Sequence, residues 1–280
     1  MPADDSRRMA LYGDRMISNE ADGQPYRDLG PEDILRAVEG AGFSCDGRIL
    51  ALNSYENRVY QLGIEDGAPL VAKFYRPGRW SDAAIREEHA FTWELLEREI
   101  PAVAPLRNEQ GETLFHHGRY RFALFPCRGG RPPESKPALG APQHELDDPE
   151  QLEMLGRFIG RLHGVGAVRP FRYRPTLDVE HFAVESYQYL LEQGFIPSEL
   201  VAEYRSLAET LVAGIRERYR QAGAVAYLRI HGDCHPGNIL WAGQGPFIVD
   251  FDDVRMGPAV QDLWMFLSGE RDYMAARLHD

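Results

Sequence analysis

The ten residues HGDCHPGNIL, at positions 231–240, bring several reactive side-chain types into one short stretch. Two histidines, an aspartate, a cysteine and an asparagine follow directly after a hydrophobic run. Such a group allows three kinds of chemistry: a metal-ligand cluster, a thiol nucleophile with its base, or the loop of a phosphoryl-transfer enzyme. The residues that surround the stretch decide between these three interpretations.

The histidines and the cysteine support the first two interpretations weakly. His231 and His235 are four positions apart, but a zinc site needs three or four ligands and no second histidine-rich patch follows. Cys234 is next to a histidine in sequence, and adjacent residues seldom face each other, so a thiol nucleophile is a poor interpretation. We expect His231 to support the loop and Cys234 to be a small packed residue. The isolated histidines are interpreted as structural or surface residues: His116, His117, His144 and His163.

A β-hairpin predicted directly after this loop would create a site for a hard cation. The triplets ILW and FIV are typical of strands, and the AGQGP between them suits a tight turn. If Ile239 pairs with Val249, then Asn238 and Asp250 lie opposite each other at the open end of the hairpin. Amide and carboxylate oxygens are ligands that Mg²⁺ prefers, so we predict that Asn238 and Asp250 bind magnesium rather than zinc.

Asp233, five residues before Asn238, would lie near this cation without needing to bind it. Its carboxylate would then be able to accept a proton from an attacking hydroxyl group, as a general base does. An aspartate, four residues, an asparagine and a later Asp-Phe-Asp form the layout of a kinase catalytic loop and its metal-binding segment. The pattern predicts Asp233 and Asp250 as the catalytic residues.

The first half of the chain predicts a sheet with one main helix. Residues 81–99 place Ala84, Glu88, Phe91 and Leu95 at helical spacing, with Ser81 as the N-cap. The runs that resemble strands are 48–52, 57–64, 69–76 and 113–126, and a short helix is predicted over 31–42.

The second half of the chain predicts mostly helices. Amphipathic runs cover residues 149–164 and 197–223, and glycines and prolines interrupt all periodicity just after residue 126. The order of strands first and helices second predicts an α+β protein with two lobes. We expect a polar, poorly ordered tail over 1–28, a nucleotide-binding N-terminal lobe over 29–127, and a C-terminal catalytic and substrate lobe over 128–280.

Composition excludes several classes of partner. The 280 residues carry a formal net charge of −12, which argues against binding to a nucleic-acid backbone. No apolar run reaches the roughly 20 residues that span a bilayer, and the first residues lack the apolar core of a signal peptide. Three widely spaced cysteines indicate reduced thiols rather than disulfides. We therefore expect a cytoplasmic protein, a monomer that binds neither nucleic acid nor a membrane.

Four motifs in order carry a family resemblance: LNSYENRVYQ, VAKFYRPGRW, HGDCHPGNILW with FIVDFDD, and GPAVQDLWMFL. Together they resemble the bacterial stress response kinase A family of Ser/Thr protein kinases, within the aminoglycoside phosphotransferase and choline kinase-like superfamily. The likeness spans roughly residues 50–270. It implies a bilobal protein-kinase-like fold, with ATP as co-substrate and Mg²⁺ as cofactor.

The resemblance also assigns residues for binding the nucleotide. Lys73 matches the lysine that holds the α- and β-phosphates, and it is one of only two lysines among 31 basic residues. Glu88 matches its ion-pair partner, with Glu87 as the alternative. The turn NSYEN replaces the glycine-rich phosphate loop of kinases, so Ser54 and Asn57 are predicted to contact phosphate. We expect asparagines in this turn to adopt unusual backbone angles.

Further roles follow from the same resemblance. FPCRGG would be the hinge that faces adenine, and Asp262 would brace the catalytic loop without touching substrate. Asp262 follows Asp250 by only twelve positions, which leaves no room for a long activation segment. Phosphorylation of such a segment is therefore not an expected switch. Asp252 and Asp253 are left open, as residues near the metal or as solvated charges.

The function predicted from these observations is transfer of the ATP γ-phosphoryl group to a Ser or Thr hydroxyl of a protein, with Asp233 as base. A small-molecule kinase acting on an amino sugar or amino alcohol is one alternative, because the superfamily shares the same catalytic residues. A nucleotide-binding scaffold without turnover is the other. The chemical identity of the acceptor does not follow from the fold or the loop.

Overall fold

The computed structural model describes residues 25–129, 149–242, 245–267 and 269–278. Most of the predicted tail and the last residue of the predicted hinge lie outside these ranges. The chain divides into two compact units. The N-terminal unit runs through Leu96 and continues over Val103–Gly129, and the C-terminal unit comprises Glu97–Ala102 and everything after Gly129. The short excursion of Glu97–Ala102 into the C-terminal unit has no signal in the sequence.

A five-stranded antiparallel sheet forms the N-terminal unit; its first three strands in the chain lie side by side, followed by the fifth strand and then the fourth at the edge. The predicted strands are present, and the predicted run over 113–126 splits into two strands at a turn that contains Gly118 with positive φ. The bounds are β1 Cys45–Leu52, β2 Arg58–Ile64, β3 Leu70–Tyr75, β4 Phe115–His117 and β5 Tyr120–Pro126.

Two helices cover this sheet. Helix α1, Pro31–Gly40, buries Ile34, Ala37 and Val38 in the same apolar cluster as residues of β2, β3 and β5. Helix α2, Asp82–Glu97, begins where predicted, because the Ser81 hydroxyl accepts a hydrogen bond from the Ala84 amide at 3.2 Å. The predicted stripe of α2 is buried, and a glutamate is part of it: Ala84, Glu88, Phe91 and Leu95. The predicted sheet with one main helix is confirmed, with α1 as a second, shorter helix.

The C-terminal unit is mostly helical, as predicted. Helix α3, Pro149–Gly166, buries one apolar stripe. A π-helical turn over Glu180–Val184 leads into α4, Glu185–Glu192, which the sequence analysis did not predict. Helix α5 spans Val201–Ala222 and α6 spans Arg271–Arg277. Among the described helices, none combines the length and the apolar content that crossing a bilayer requires.

Two small antiparallel sheets position the residues of the loop at 231–240. Strand β6, Leu228–Ile230, pairs with β9, Arg255–Gly257, so the residues that follow β6 and those that precede β9 lie at the same end of this pair. Strand β9 was not predicted, because three residues are too few for a periodic pattern.

The second small sheet is the predicted hairpin, with strands β7, Ile239–Ala242, and β8, Gly245–Ile248. Its predicted register is wrong by one residue, since Ile239 pairs with Ile248 and not with Val249. The reason lies in the turn: Ala242 pairs with Gly245, so residues expected to form the loop extend the ladder instead.

Candidate active site

The loop that follows β6 is held by one buried carboxylate. Asp262 is fully buried; its Oδ2 accepts a hydrogen bond from the His231 amide at 2.9 Å, and its Oδ1 accepts one from the Gly232 amide at 2.8 Å. The Nε2 atom of His163, on α3, lies 2.9 Å from Oδ2. The brace that the resemblance implied for Asp262 is therefore present, and His163 is a partner of it rather than an isolated histidine.

These contacts determine the charge state of the brace. Burial by itself raises the pKa of Asp262, but the hydrogen bond from His163, the neighbouring His231 and the Gly232 amide outweigh it and lower the pKa below its usual value. A buried carboxylate that keeps its charge accepts stronger hydrogen bonds than a neutral acid. The start of the loop is thus tied to an anion.

His231 supports the loop from inside, as predicted. Its Nδ1 accepts a hydrogen bond from the Asp233 amide at 3.4 Å, which leaves Nε2–H to donate to the carbonyl of Val249 at 3.0 Å. The ring also packs edge-on against Phe251, with centroids 4.8 Å apart. Both ring nitrogens are engaged, so His231 does not serve as a zinc ligand in this arrangement.

Gly232 is required at this point of the loop by geometry. Its φ is +85°, and a Cβ atom there would lie 2.3 Å from the carbonyl oxygen of Asp253. The loop and the Asp-Phe-Asp segment therefore approach more closely than any side chain allows. Gly232 was not among the predicted site residues, although a glycine directly before the predicted base is a usable signal.

Asp233 presents its carboxylate to solvent from this fixed loop. Its side chain is 43% exposed, and its Oδ2 lies 3.7 Å from Nε2 of His235. The side-chain nitrogen of Asn238 donates to the Asp233 carbonyl at 2.9 Å and lies 3.4 Å from Oδ2. Asn238 thereby shares contacts with the predicted base, as the D-x4-N spacing indicates.

The predicted metal ligands, Asn238 and Asp250, lie at the ends of the two paired strands of the hairpin, offset by one residue. The Asn238 carbonyl accepts a hydrogen bond from the Val249 amide at 3.0 Å, so Asp250 lies one residue beyond the position that faces Asn238. Asp250 is exposed and adopts a left-handed conformation, with φ 58° and ψ 68°, before a 3₁₀ turn over Phe251–Asp253.

This donor set suits a hard divalent cation. The Asn238 nitrogen binds the loop, so the amide offers its oxygen to a ligand, and Asp250 adds an exposed carboxylate. These two residues would hold a divalent cation, which normally completes its coordination with water and other oxygen ligands. Asp252 is buried, so it is not a solvated surface charge. Asp253 forms an ion pair with Arg255 at 2.5 Å.

Cys234 is a packed residue, as predicted. It is 1% exposed, and burial raises the pKa of its thiol strongly, with further contributions from Asp262 and Asp233. A thiol that stays protonated is not a nucleophile at neutral pH.

In the N-terminal unit, Lys73 forms an ion pair with Glu88. The Lys73 Nζ lies 3.7 Å from Glu88 Oε1, and the two side chains are 7% and 2% exposed. Lys73 is on β3 between Val59 and Ala123, its partners in the neighbouring strands, which places it in the middle of the sheet. Glu88 reaches it from the buried stripe of α2.

The turn NSYEN is held by its own side chains. Asn57 is buried, and its Oδ1 accepts a hydrogen bond from the Arg76 amide at 3.2 Å. Glu56 forms an ion pair with Arg76 at 2.7 Å. Ser54 is half-buried, and Tyr55 is 95% exposed. The expected unusual backbone angles are absent: among the described non-glycine residues, positive φ occurs only at Asp66, Glu99 and Asp250.

Comparisons with known proteins show which family this chain resembles. A family model described as "Phosphotransferase enzyme family" matches residues 48–279. "Stress response kinase A" of Salmonella choleraesuis (strain SC-B67) is 44% identical over 246 residues, which are 88% of this chain and 70% of that protein. "Serine/threonine protein kinase RdoA" of Salmonella typhimurium (strain LT2) matches with the same identity and coverage.

Among solved structures, amicoumacin kinase hAmiN in complex with AMP-PNP, Ca²⁺ and Ami is 18% identical to this chain. The two align with a TM-score of 0.68 over 89% of this chain and 75% of that one. This likeness confirms the predicted protein-kinase-like fold class. Because the family model covers most of the chain and the identity to the curated relatives exceeds two fifths, the chain belongs to the phosphotransferase enzyme family and is a homologue of stress response kinase A.

Proposed function

We propose that this chain is an ATP- and Mg²⁺-dependent Ser/Thr protein kinase that transfers the γ-phosphoryl group to a protein hydroxyl. The observation that carries the proposal is the loop at 231–238, whose backbone is fixed by buried groups while the Asp233 carboxylate is open to solvent. A relative at 44% identity is named "Serine/threonine protein kinase RdoA", which supports a protein acceptor. We also propose that the protein is cytoplasmic and monomeric.

In the C-terminal unit, Asp233 would orient the acceptor hydroxyl and take its proton as the new P–O bond forms and the bond from the γ-phosphorus to the β–γ bridging oxygen breaks, with ADP as the leaving group. Asn238 and Asp250 would hold the cation, which when bound neutralises charge on the phosphates. Positioning and electrostatics supply most of the catalysis in such a transfer.

In the N-terminal unit, Lys73 would bind the α- and β-phosphates as a compact point charge. Glu88 would hold the ammonium of Lys73 in place, since it is the carboxylate paired with it. Ser54 and backbone amides of its turn would contact phosphate. Asn57, whose buried side chain binds the Arg76 amide, would act by shaping that turn. Each of these roles is part of the proposal.

The test is incubation with ATP labelled at the γ-phosphate, Mg²⁺ and dephosphorylated casein as a general protein acceptor. Acid-insoluble label on protein supports the proposal. Acid-soluble phosphorylated product from added amino sugars or amino alcohols, without protein label, would instead establish a small-molecule kinase. Absence of ATP consumption with every acceptor would indicate a nucleotide-binding scaffold.

Variants then test the assigned roles. Asp233→Ala is expected to lower kcat about 10³-fold with Mg-ATP binding largely intact, because a general base contributes roughly 10²–10⁴ to the rate. Asp250→Ala should weaken Mg-ATP binding as well, because it removes a cation ligand. Asp272→Ala, which removes an exposed aspartate of α6, is the control and should match the parent protein. Near-normal transfer by either site variant contradicts the assignment.

A further inference from the structure

A chain of buried polar groups leads away from the Lys73–Glu88 ion pair through the core of the N-terminal unit. The Tyr75 hydroxyl lies 3.4 Å from Oε1 of Glu88 and 2.8 Å from Nε2 of His89. The other ring nitrogen of His89 lies 2.8 Å from Oγ1 of Thr113. Tyr75, Glu88 and His89 are at most 2% exposed, while Thr113 is half-buried.

The direction of these hydrogen bonds follows from the number of protons. A tyrosine hydroxyl has one hydrogen to donate, and the ionised carboxylate of Glu88 is a stronger acceptor than a neutral imidazole. If Tyr75 donates to Glu88, His89 must donate its Nε2–H to the Tyr75 oxygen. The bare Nδ1 of His89 then accepts the hydroxyl hydrogen of Thr113. The chain thus runs from Thr113 to the carboxylate, with every group paired.

Buried polar groups lose their hydration, so each member of this chain depends on its hydrogen bond to the next, and removing one group affects its neighbours. Tyr75 touches both members of the ion pair. It lies two positions from Lys73 on the same face of β3, and the Lys73 ammonium lies 5.1 Å from the centroid of its ring. Tyr75 also donates to the carboxylate that Lys73 faces. Loss of the hydroxyl would remove one of the contacts that hold the Glu88 carboxylate towards Lys73.

We propose that Tyr75 and His89 are positioning residues, which hold Glu88 so that Lys73 keeps the place from which it binds nucleotide phosphates. This inference rests on the proposed function for the role of Lys73. It concerns neither the acceptor nor the base, so it predicts weaker binding of the nucleotide with unchanged binding of the protein acceptor. A purely structural role for the chain would instead impair both substrates together.

The test compares variants that remove or replace one hydrogen-bonding side chain of the chain at a time. Tyr75→Phe keeps the ring, and we expect it to raise the Kd for Mg-ADP and the KM for Mg-ATP about tenfold, with less than a twofold change in the KM for casein. His89→Gln should retain most of the affinity, because its amide N–H can replace the Nε2–H donor, whereas His89→Leu should not. Calorimetry with Mg-ADP gives the Kd without requiring turnover.

A matched control and a double variant make the result decisive. Tyr120→Phe removes another buried hydroxyl of the same sheet, one that accepts a hydrogen bond from the Asp28 amide at 3.3 Å, and it should leave the Kd unchanged. In a Glu88→Gln background, Tyr75→Phe should add less than a twofold effect, because it acts through Glu88.

A full tenfold loss from Tyr75→Phe in the Glu88→Gln background would overturn the inference, as would an unchanged Kd in the single variant. If the parent protein binds Mg-ADP but transfers no phosphoryl group, the proposed function fails while the Kd comparison still decides the role of Tyr75. If the parent protein does not bind Mg-ADP, both are wrong.

Discussion

Replacing Asp262 with asparagine tests whether the loop that carries Asp233 depends on the buried anion. The carboxylate accepts hydrogen bonds from two backbone amides, His231 and Gly232, and contacts His163. An asparagine side chain has one oxygen, which can accept from only one of the two amides if the geometry is kept. Its NH₂ group then faces the other backbone N–H, so two donors oppose each other and neither has an acceptor.

The magnitude follows from these contacts. One buried amide left unpaired costs about 1–3 kcal/mol, and losing a hydrogen bond to a charged group costs about 1.5–3 kcal/mol. Because Asp262 is fully buried, water does not replace the lost partners. The variant Asp262→Asn is therefore expected to lose about 3–5 kcal/mol of unfolding free energy. Displacement of the loop should lower kcat at least about a hundredfold.

The pH dependence gives a second readout with a defined sign. The pKa of Asp262 is lower in the folded protein than in the unfolded chain, so its stabilisation is present above its ordinary value of about 4 and is lost as the pH falls through the lower folded pKa. The difference in unfolding free energy between the parent protein and Asp262→Asn should thus be largest near neutral pH and shrink below pH of about 4.

The assay is urea unfolding followed by intrinsic fluorescence, at neutral and at acid pH, together with phosphotransfer at neutral pH. Asp46→Asn is the control, since Asp46 also has a lowered pKa, caused by hydrogen bonds from Arg48, but is exposed to solvent. It should unfold at the same urea concentration as the parent protein. If the unfolding free energy of Asp262→Asn is within about 1 kcal/mol of the parent protein and its kcat is unchanged, Asp262 does not brace the loop.

Two further predictions concern neighbouring residues. Gly232→Ala should destabilise the protein and abolish transfer, because φ is +85° and the added Cβ would overlap the Asp253 carbonyl. Gly160→Ala, on α3 with open space around it, should instead stabilise by about 0.5–1 kcal/mol in urea unfolding. Cys234 should resist a disulfide reagent in the native protein and react only on unfolding, whereas the partly exposed Cys45 and Cys127 should react before it. Native labelling of Cys234 would contradict its burial.

The sequence predicts elements well here because their signals are local. Runs of residue types typical of strands predicted the N-terminal sheet, and an apolar stripe at helical spacing with Ser81 as its cap predicted α2. The hairpin register could not be obtained in this way, because glycines around its turn allow several turn lengths. Strand β9 and the excursion of Glu97–Ala102 depend on tertiary pairing, such as the Ile248 amide donating to the Pro101 carbonyl at 3.0 Å.

In the candidate site, too, some residues could be predicted from local sequence and others could not. Residues with a distinctive chemical type and spacing, such as Asp233, Asn238 and Asp250, could be named from sequence alone. Their supports could not: His163 is 99 positions from Asp262, and no spacing rule connects them. Tyr75 and His89 resemble ordinary core residues in the sequence. Only the 2.8 Å distance between the Tyr75 hydroxyl and the His89 Nε2 shows that they are hydrogen-bonded.

The C-terminal unit separates the group proposed for chemistry from the group that holds it. Asp233 is 43% exposed on its side chain and keeps much of its hydration, whereas Asp262 is completely buried and pairs with amides of the same loop. Because the loop has no strand ladder of its own between β6 and β7, its shape depends on these side-chain acceptors. A change to the buried group should therefore move the exposed one, although the two share no substrate contact. Variants of Asp262 should therefore lose both phosphotransfer activity and unfolding free energy. Variants of Asp233 should lose the activity alone.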